Sequence, residues 1–171
     1  GQLGARCFEL TVQVEQAAAQ HLQLFGHLRV QLGGARLRLF VALGDARAQV
    51  GRVMDELLPR VARLAALARR YDIGLNIDAE EADRLELSLD ILERLAVEPA
   101  LAGWQGLGFV IQAYQKRCPA VVDFVIALAR RSSRRLMIRL VKGAYWDSEI
   151  KRAQVDGQDS FAVYTRKPYT D

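Results

Sequence analysis

Asp78, Gln112 and Arg139 are the residues of this chain whose types and placement could do chemistry together. A carboxylate, a neutral amide and a permanently charged guanidinium can orient a polar ligand and stabilise negative charge as it develops. Arg139 lies inside an apolar run, Leu136, Met137, Ile138, Leu140 and Val141, with the length and composition of a buried strand. A guanidinium cannot be deprotonated, so there it needs an anionic or strongly accepting partner. That partner is either a structural salt bridge to a neighbouring strand or a ligand. Lys142-Gly-Ala-Tyr-Trp146 closes the run, and the small Gly143 and Ala144 would let the backbone approach a flat ligand closely.

The elements that must position these residues alternate along the chain. Residues 37–43 read as a short strand bounded by Gly44-Asp45, and Gly33-Gly34 is a turn signal. Residues 52–70 show helical spacing of Val53, Leu57, Leu58, Val61, Leu64, Ala65 and Ala68, with Pro59 kinking that helix or starting a new one. Residues 73–78 form a strand ending in Asp78, and residues 80–97 a helix with Leu85, Leu89, Leu92 and Leu95 on one face. Residues 106–113 are the next strand. Residues 120–131 form a helix whose apolar face carries Val121, Val122, Val125, Ile126 and Ala129. The Arg139 strand follows, then a helix over 147–155 and a short extended piece at 162–165. Residues 10–24 suit a helix of low specificity.

Strand and helix in alternation imply crossover connections and a parallel sheet. Leu67-Ala-Arg-Arg70 and Leu128-Ala-Arg-Arg131 each close a helix before a strand, two units apart, giving units of roughly 30 residues. No GxGxxG follows any strand, which weakens an open dinucleotide-binding sheet. Four βα units are about half of a (β/α)8 barrel, which typically needs about 250 residues. The fold class is therefore α/β, a partial (β/α)8 TIM-like barrel of about four βα units with parallel strands. In such a fold the strand ends carry the ligand site. An Asp78–Arg139 ion pair across the mouth of the sheet, with Gln112 between, is the expected arrangement.

Each feature also has a purely structural role. Asp78 suits the N-cap of the following helix, with Glu81 at capping-box spacing. Asp78, Glu80 and Glu81 have no histidine near them and read as solvated first-turn carboxylates, so no metal is expected. Gln112 suits an ordinary strand-end amide, and Tyr145 and Trp146 suit packing. His21 and His27 have no nucleophile near them, which leaves triad chemistry unsupported. Cys118 precedes a proline at a helix start, where a dipole could lower its pKa; a buried inert thiol is the alternative.

The 171 residues are 51% hydrophobic, enough for a sizeable core, and no apolar run reaches the span of a bilayer. No secretion signal is evident, and Cys7 and Cys118 form no CxxC pair, so a reduced cytoplasmic setting is expected. The net charge of +4 raises the question of a nucleic-acid surface. Basic pairs such as Arg69-Arg70 and Arg130-Arg131 instead sit at helix ends, where cations complement the dipole. No nucleic-acid partner is expected.

Three segments carry a family resemblance: Asn76-Ile-Asp-Ala-Glu-Glu-Ala-Asp-Arg-Leu-Glu86, Gly108-Phe-Val-Ile-Gln-Ala-Tyr-Gln-Lys-Arg117 and Arg139-Leu-Val-Lys-Gly-Ala-Tyr-Trp-Asp-Ser-Glu-Ile-Lys151. They resemble the proline dehydrogenase domain of the bifunctional proline utilisation A flavoenzymes. The resemblance implies an FAD-dependent barrel that oxidises L-proline to Δ1-pyrroline-5-carboxylate and passes electrons to a membrane quinone. It implies that Asp78 is the active-site aspartate and Arg139 the arginine beside the flavin N5. Ala79, Gln112, Val141, Lys142, Gly143, Ala144 and Trp146 would line or approach the FAD, and Tyr145 would lie next to the substrate. It also implies a parent enzyme with the remaining barrel and a pyrroline-5-carboxylate dehydrogenase domain, cytoplasmic and peripheral at the inner face of the membrane.

Two departures qualify that expectation. The family's Ile-Lys-Leu-Ser-Ala-Leu-His-Pro-Arg-Tyr-like strand is replaced here by Leu37-Arg-Leu-Phe-Val-Ala-Leu-Gly-Asp-Ala46, without the lysine that contacts the substrate site. Residues 1–45 are therefore read as an unmatched N-terminal segment and residues 46–171 as the partial barrel domain. The chain also stops before the helix whose paired arginines hold the proline carboxylate, so it is expected to bind proline poorly alone. The rival reading is a non-catalytic barrel remnant that only packs against partner chains.

Overall fold

Ile73 and Arg134 each follow a helix that ends in the same way, and this shared ending sets the beat of the fold. The structure, a computed structural model, describes residues 28–33, 36–41, 51 and 53–171. The expected helix over 10–24, His21, His27 and Cys7 lie outside the described residues.

The strands are β1 (Leu28–Gly33), β2 (Arg36–Val41), β3 (Gly74–Ile77), β4 (Leu107–Gln112) and β5 (Met137–Val141). The helices are α1 (Leu58–Arg70), α2 (Leu85–Val97), α3 (Cys118–Arg131) and α4 (Trp146–Val155). The sheet order is β1-β2-β3-β4-β5, with β2 to β5 parallel. Four βα units are present, as the alternation of patterns requires. The sheet is nevertheless mixed, because β1 pairs antiparallel with β2. The sequence reading missed that strand, although Leu28–Gly33 leads into the Gly33-Gly34 turn signal.

The repeated Leu-Ala-Arg-Arg segments now have a physical meaning. After α1, Asp72 takes a left-handed φ of 53°, Ile73 N donates to Ala68 O at 2.9 Å, and Asp72 N donates to Arg69 O at 3.1 Å. After α3, Ser133 has φ 51°, Arg134 N donates to Ala129 O at 3.0 Å, and Ser133 N donates to Arg130 O at 3.2 Å. After α4, Gly157, Gln158, Ala153 and Gln154 repeat the pattern. This double closure consumes the last helical carbonyls and turns the chain sharply toward the next strand. Helix α2 lacks it and ends where Pro99 cannot continue the helix.

Helix α1 begins with Pro59 in its first turn, after a π-helical turn over Val53–Leu57, so the proline starts a helix as expected. Its buried Val61, Leu64, Ala65 and Ala68 face the sheet. Helix α2 starts later than expected, at Leu85 behind a 3-10 turn over Ala82–Arg84, and its buried face is rotated to Leu87, Ser88, Ile91, Leu92, Leu95 and Ala96. The apolar ones among them meet Leu75, Ile77, Leu107, Phe109 and Ile111 in one core.

Two apolar expectations change. On α3 the sheet covers only Val121, Val125 and Leu128, while Val122 and Ile126 stay exposed. The apolar stripe of that helix is wider than the surface it covers. β5 is not a buried strand: it is an edge strand of the sheet, and Ile138 and Leu140 are exposed at 44% and 63%. Among the described residues no helix is long and apolar enough to cross a membrane.

The helix endings yield a direct prediction. A non-glycine residue in the left-handed region costs about 1 kcal/mol or more, which glycine avoids. Ser133→Gly should raise the urea midpoint by the equivalent of about 1 kcal/mol, and Ser133→Val should lower it. A Gly variant less stable than the parent would contradict this account of the helix end.

Candidate functional site

The register of three parallel strands builds the site. Ile77 pairs with Phe109 and Phe109 with Ile138, so the next positions, Asp78, Val110 and Arg139, fall in line on the other face. Strands lie about 4.8 Å apart, so Asp78 and Arg139 are two strand spacings apart, about 10 Å between backbones. Arg139 spans that gap across Val110, and its Nη2 donates to Asp78 Oδ1 at 2.8 Å. Asp78 is 7% exposed, whereas the Arg139 side chain is 38% exposed. A pair with one half-open partner adds only about 1 kcal/mol to stability. The same openness leaves guanidinium N–H groups accessible to a ligand.

The expected ion pair is therefore present. The capping role of Asp78 is not: its Oδ1 accepts only from the adjacent Ala79 N, at 3.1 Å, besides Arg139. Glu81 occupies the cap position of the 3-10 turn without a side-chain cap bond. The three neighbouring carboxylates take separate partners, Asp78 on Arg139, Glu80 on Tyr145 and Glu81 on Arg84. Among the described residues no group of three or more His, Cys, Asp and Glu side chains is arranged to hold a metal ion.

Gln112 sits two residues beyond Val110, at the end of β4, and is buried. Its Nε2 donates to Glu80 O at 2.7 Å, and its Oε1 accepts from Ala144 N at 3.2 Å. One amide thus ties the loop after β3 to the loop after β5. The second tie is Tyr145, whose hydroxyl donates to Glu80 Oε2 at 2.7 Å. The third is Tyr114, whose hydroxyl accepts from Tyr145 N at 3.3 Å. Burial pushes the Tyr114 phenol up to about 12, and burial followed by Glu80 raises that of Tyr145 further. Both hydroxyls stay protonated near neutral pH.

Gly143 has a reason different from the one its small size suggested. Its φ is +136°, and a Cβ there would collide with the Tyr114 ring. The close approach is made by Tyr114. Val141 pairs with Gln112 and belongs to the same rim. Lys142 and Trp146 each bond to the C-terminal segment: Lys142 Nζ pairs with Asp171 at 2.5 Å, and Trp146 Nε1 donates to Tyr164 O at 3.0 Å. The extended piece expected at 162–165 is a single bridge, Gln115 to Val163. Cys118 is a free, half-buried thiol, and burial raises its pKa, the direction opposite to the one a helix dipole would give.

The residues that sequence reasoning missed support the loop after β3. Ala82 N donates to Glu149 Oε1 at 2.5 Å, and Ala82 O accepts from Arg117 Nη2 at 2.6 Å. Arg152 pairs with Asp83 at 2.5 Å. Glu149 and Ala153, four residues apart, are the buried face of α4. That spacing was the available signal.

Burial raises the Glu149 pKa against the lowering effect of the Ala82 N–H, and burial likewise raises that of Glu80 against Tyr145. The folded state then holds these protons to higher pH than the unfolded chain. Their contribution to stability is full below the unfolded value of about 4.5 and declines as pH rises through the folded value. Glu149→Gln keeps an acceptor for Ala82 N and should flatten the fall in melting temperature above that pH. Glu149→Ala orphans the amide and should cost about 1–3 kcal/mol at any pH. Equal pH profiles for wild type and Glu149→Gln would refute the assignment.

A family profile described as proline dehydrogenase matches residues 5–171. The chain is 72% identical over 126 residues to the bifunctional protein PutA of Escherichia coli (strain K12), covering 74% of this chain and 10% of that protein. Identity to the bifunctional protein PutA of Rhizobium meliloti is 68% over 130 residues, covering 76% and 11%. A crystal structure of a Bradyrhizobium japonicum proline utilization A mutant is similar with a TM-score of 0.70 and 56% identity, over 71% of this chain and 13% of that one. Proline utilization A from Bdellovibrio bacteriovorus, inactivated by N-propargylglycine, gives 0.68 and 29%, over 72% and 13%. The chain spans about a tenth of the length of the curated relatives it matches.

Proposed function

The chain belongs to the proline dehydrogenase family, and from that premise we propose that it contributes one wall of an FAD site for the oxidation of L-proline to Δ1-pyrroline-5-carboxylate. The observation that carries the reading is the Asp78–Arg139 pair on one sheet face, with Gln112 pinning both flanking loops at the rim. Electrons pass on to a membrane quinone in this reading, and the remaining barrel and a pyrroline-5-carboxylate dehydrogenase domain complete the working protein.

The residues present suit a flavin. Arg139 is a half-open cation with an unpartnered buried Nε, and Gly143 and Ala144 are exposed and carry almost no side chain. FAD, when bound, supplies the two-electron acceptor for converting the secondary amine of proline into an imine. The Arg139 guanidinium stabilises negative charge gathering near it. Asp78 holds that guanidinium in place through the 2.8 Å bond. Ala79, Gln112, Val141, Lys142, Gly143, Ala144 and Trp146 form the cofactor side of the wall. Tyr145, its phenol held by Glu80, faces the substrate side and excludes water from it. One relative, that of Bdellovibrio bacteriovorus, is inactivated by N-propargylglycine, an N-substituted amino acid, which fits an amine-oxidising site.

Exposed Ile138 and Leu140 on the β5 edge favour a second reading, in which this segment serves only as a packing piece. Arg139→Met in the natural full-length protein separates the two. The flavin reading expects bound FAD in the wild type and a loss of about 10²–10³ in the rate of flavin reduction by proline in the variant. A wild type that never carries flavin, or a variant that reduces it at the parental rate, would overturn the reading.

A further inference from the structure

Three side chains at the start of α4 meet the loop after β3 in matching order. Tyr145 Oη donates to Glu80 Oε2 at 2.7 Å, Glu149 Oε1 accepts from Ala82 N at 2.5 Å, and Arg152 Nη1 pairs with Asp83 Oδ2 at 2.5 Å. Positions 145, 149 and 152 are four and then three residues apart, the spacing of one helix face. The middle rung is the buried one: Glu149 is 6% and Ala82 5% exposed. The first two rungs also close into a ring. Glu149 N donates to Tyr145 O at 2.9 Å, so the Tyr145 backbone and Glu149 belong to one helical turn. From the Tyr145 hydroxyl the path runs to Glu80, along the chain to Ala82, across to Glu149 and through that turn back to Tyr145.

We infer that Glu149 is a positioning residue for Tyr145: it seats α4 against the loop after β3 so that the Tyr145 phenol stays on Glu80 and presents a fixed ring to the substrate side. The role follows from what remains when Glu149 is taken away. The loop itself stays tied to its other neighbours, through Gln112 Nε2 to Glu80 O and Arg117 Nη2 to Ala82 O. Helix α4 has no such reserve. Its remaining rungs are the phenol's own hydrogen bond and the Arg152–Asp83 pair, whose side chains are 43% and 33% exposed. An exposed pair of that kind holds a helix only weakly. A buried amide donating to a carboxylate is worth more, because burial strengthens a charge-assisted bond. Glu149 therefore carries most of the constraint on where the turn bearing Tyr145 sits.

This inference rests on the proline-oxidising reading above, which is what places Tyr145 beside the substrate. The test is a double-mutant cycle of Glu149→Ala and Tyr145→Phe in the natural full-length protein, read as kcat and KM for proline. Glu149→Ala should lower kcat/KM about tenfold, the worth of one hydrogen bond to a charged group, mainly through KM. Glu149→Gln keeps the acceptor and should restore most of that loss. In the Tyr145→Phe protein there is no hydroxyl to hold, so adding Glu149→Ala should cost less than about twofold. Crystal structures should show the Tyr145–Glu80 bond lost in Glu149→Ala and kept in Glu149→Gln. An equal loss of kcat/KM in both backgrounds overturns the inference, since a general weakening of the fold would act with or without the hydroxyl. So does a Glu149→Ala structure with that bond intact. If Glu149→Ala does not fold, Arg152→Met takes its place in the cycle: a loss of about twofold to threefold is expected in the parent and none in Tyr145→Phe, and equal losses overturn the inference. If the wild type carries no flavin, the proline-oxidising reading fails, while the Tyr145–Glu80 distance in the variant structures still decides the positioning.

Discussion

The register between β3, β4 and β5 is the constraint on which the rest depends. Strand spacing is fixed by backbone hydrogen bonding, so a guanidinium on β5 meets a carboxylate beyond β3 only when both occupy the same pleat. A slip of one residue in either pairing would turn Asp78 or Arg139 to the opposite face. That face is occupied by Leu75, Ile77, Leu107, Phe109 and Ile111 in the apolar core. Between β3 and β4 the core enforces this register, and on β5, where Ile138 and Leu140 are exposed, the ion pair is the matching constraint from the other face. Gly108 shares in this, since only a residue without a Cβ lets the Asn76 amide lie across β4.

Register alone does not hold the loops that follow the strands. The loop after β3 is fixed at Glu80 by Gln112 and Tyr145, and at Ala82 by Glu149 and Arg117. These partners come from β4, the β5–α4 loop, α4 and the segment just before α3. The two βα units that follow β3 therefore both support its loop. Asp78 keeps its place because residues two and four positions later are anchored to other units. This cross-bracing is what a site on strand ends requires, because loop backbone without such partners is the least stable part of a domain.

Much of this was legible in the residues. Arg139 inside an apolar run demanded an anion, and Asp78 at the end of an earlier strand was the carboxylate at hand. The Leu-Ala-Arg-Arg echo marked two helices that close alike, though the reason, a left-handed residue at Asp72 and Ser133, is a backbone property that composition does not reveal. What escaped the sequence were relations between distant residues. Helical spacing showed that α3 is apolar on Val121, Val122, Val125 and Ile126, but not which half meets the sheet. Composition made β5 look buried, while exposure depends on whether a neighbour lies beside it. The roles of Glu149 and Glu80 depend on contacts 67 and 65 positions apart in the chain. The bonds of Lys142 to Asp171 and of Trp146 to Tyr164 are likewise contacts that the local sequence does not show.

An inventory of hydrogen bonds then limits what the rim can recognise. Gln112 has given one N–H to Glu80 O and one lone pair to Ala144 N, leaving one of each. The amides of Ala79, Ala144 and Tyr145 are engaged with Asp78, Gln112 and Tyr114. Rigidity has been obtained by spending these donors internally. Arg139 differs: of its five N–H groups, Nε is buried and one on Nη2 is bonded to Asp78, which leaves three on the terminal nitrogens. Those are charged, half-open and planar. Among these rim groups, strong donation to a ligand therefore comes chiefly from a single guanidinium. A ligand gains most here by presenting an electron-rich edge to that plane, and gains more as negative charge builds on that edge. Differential attraction of this kind is the form in which binding energy accelerates a reaction rather than merely holding the substrate.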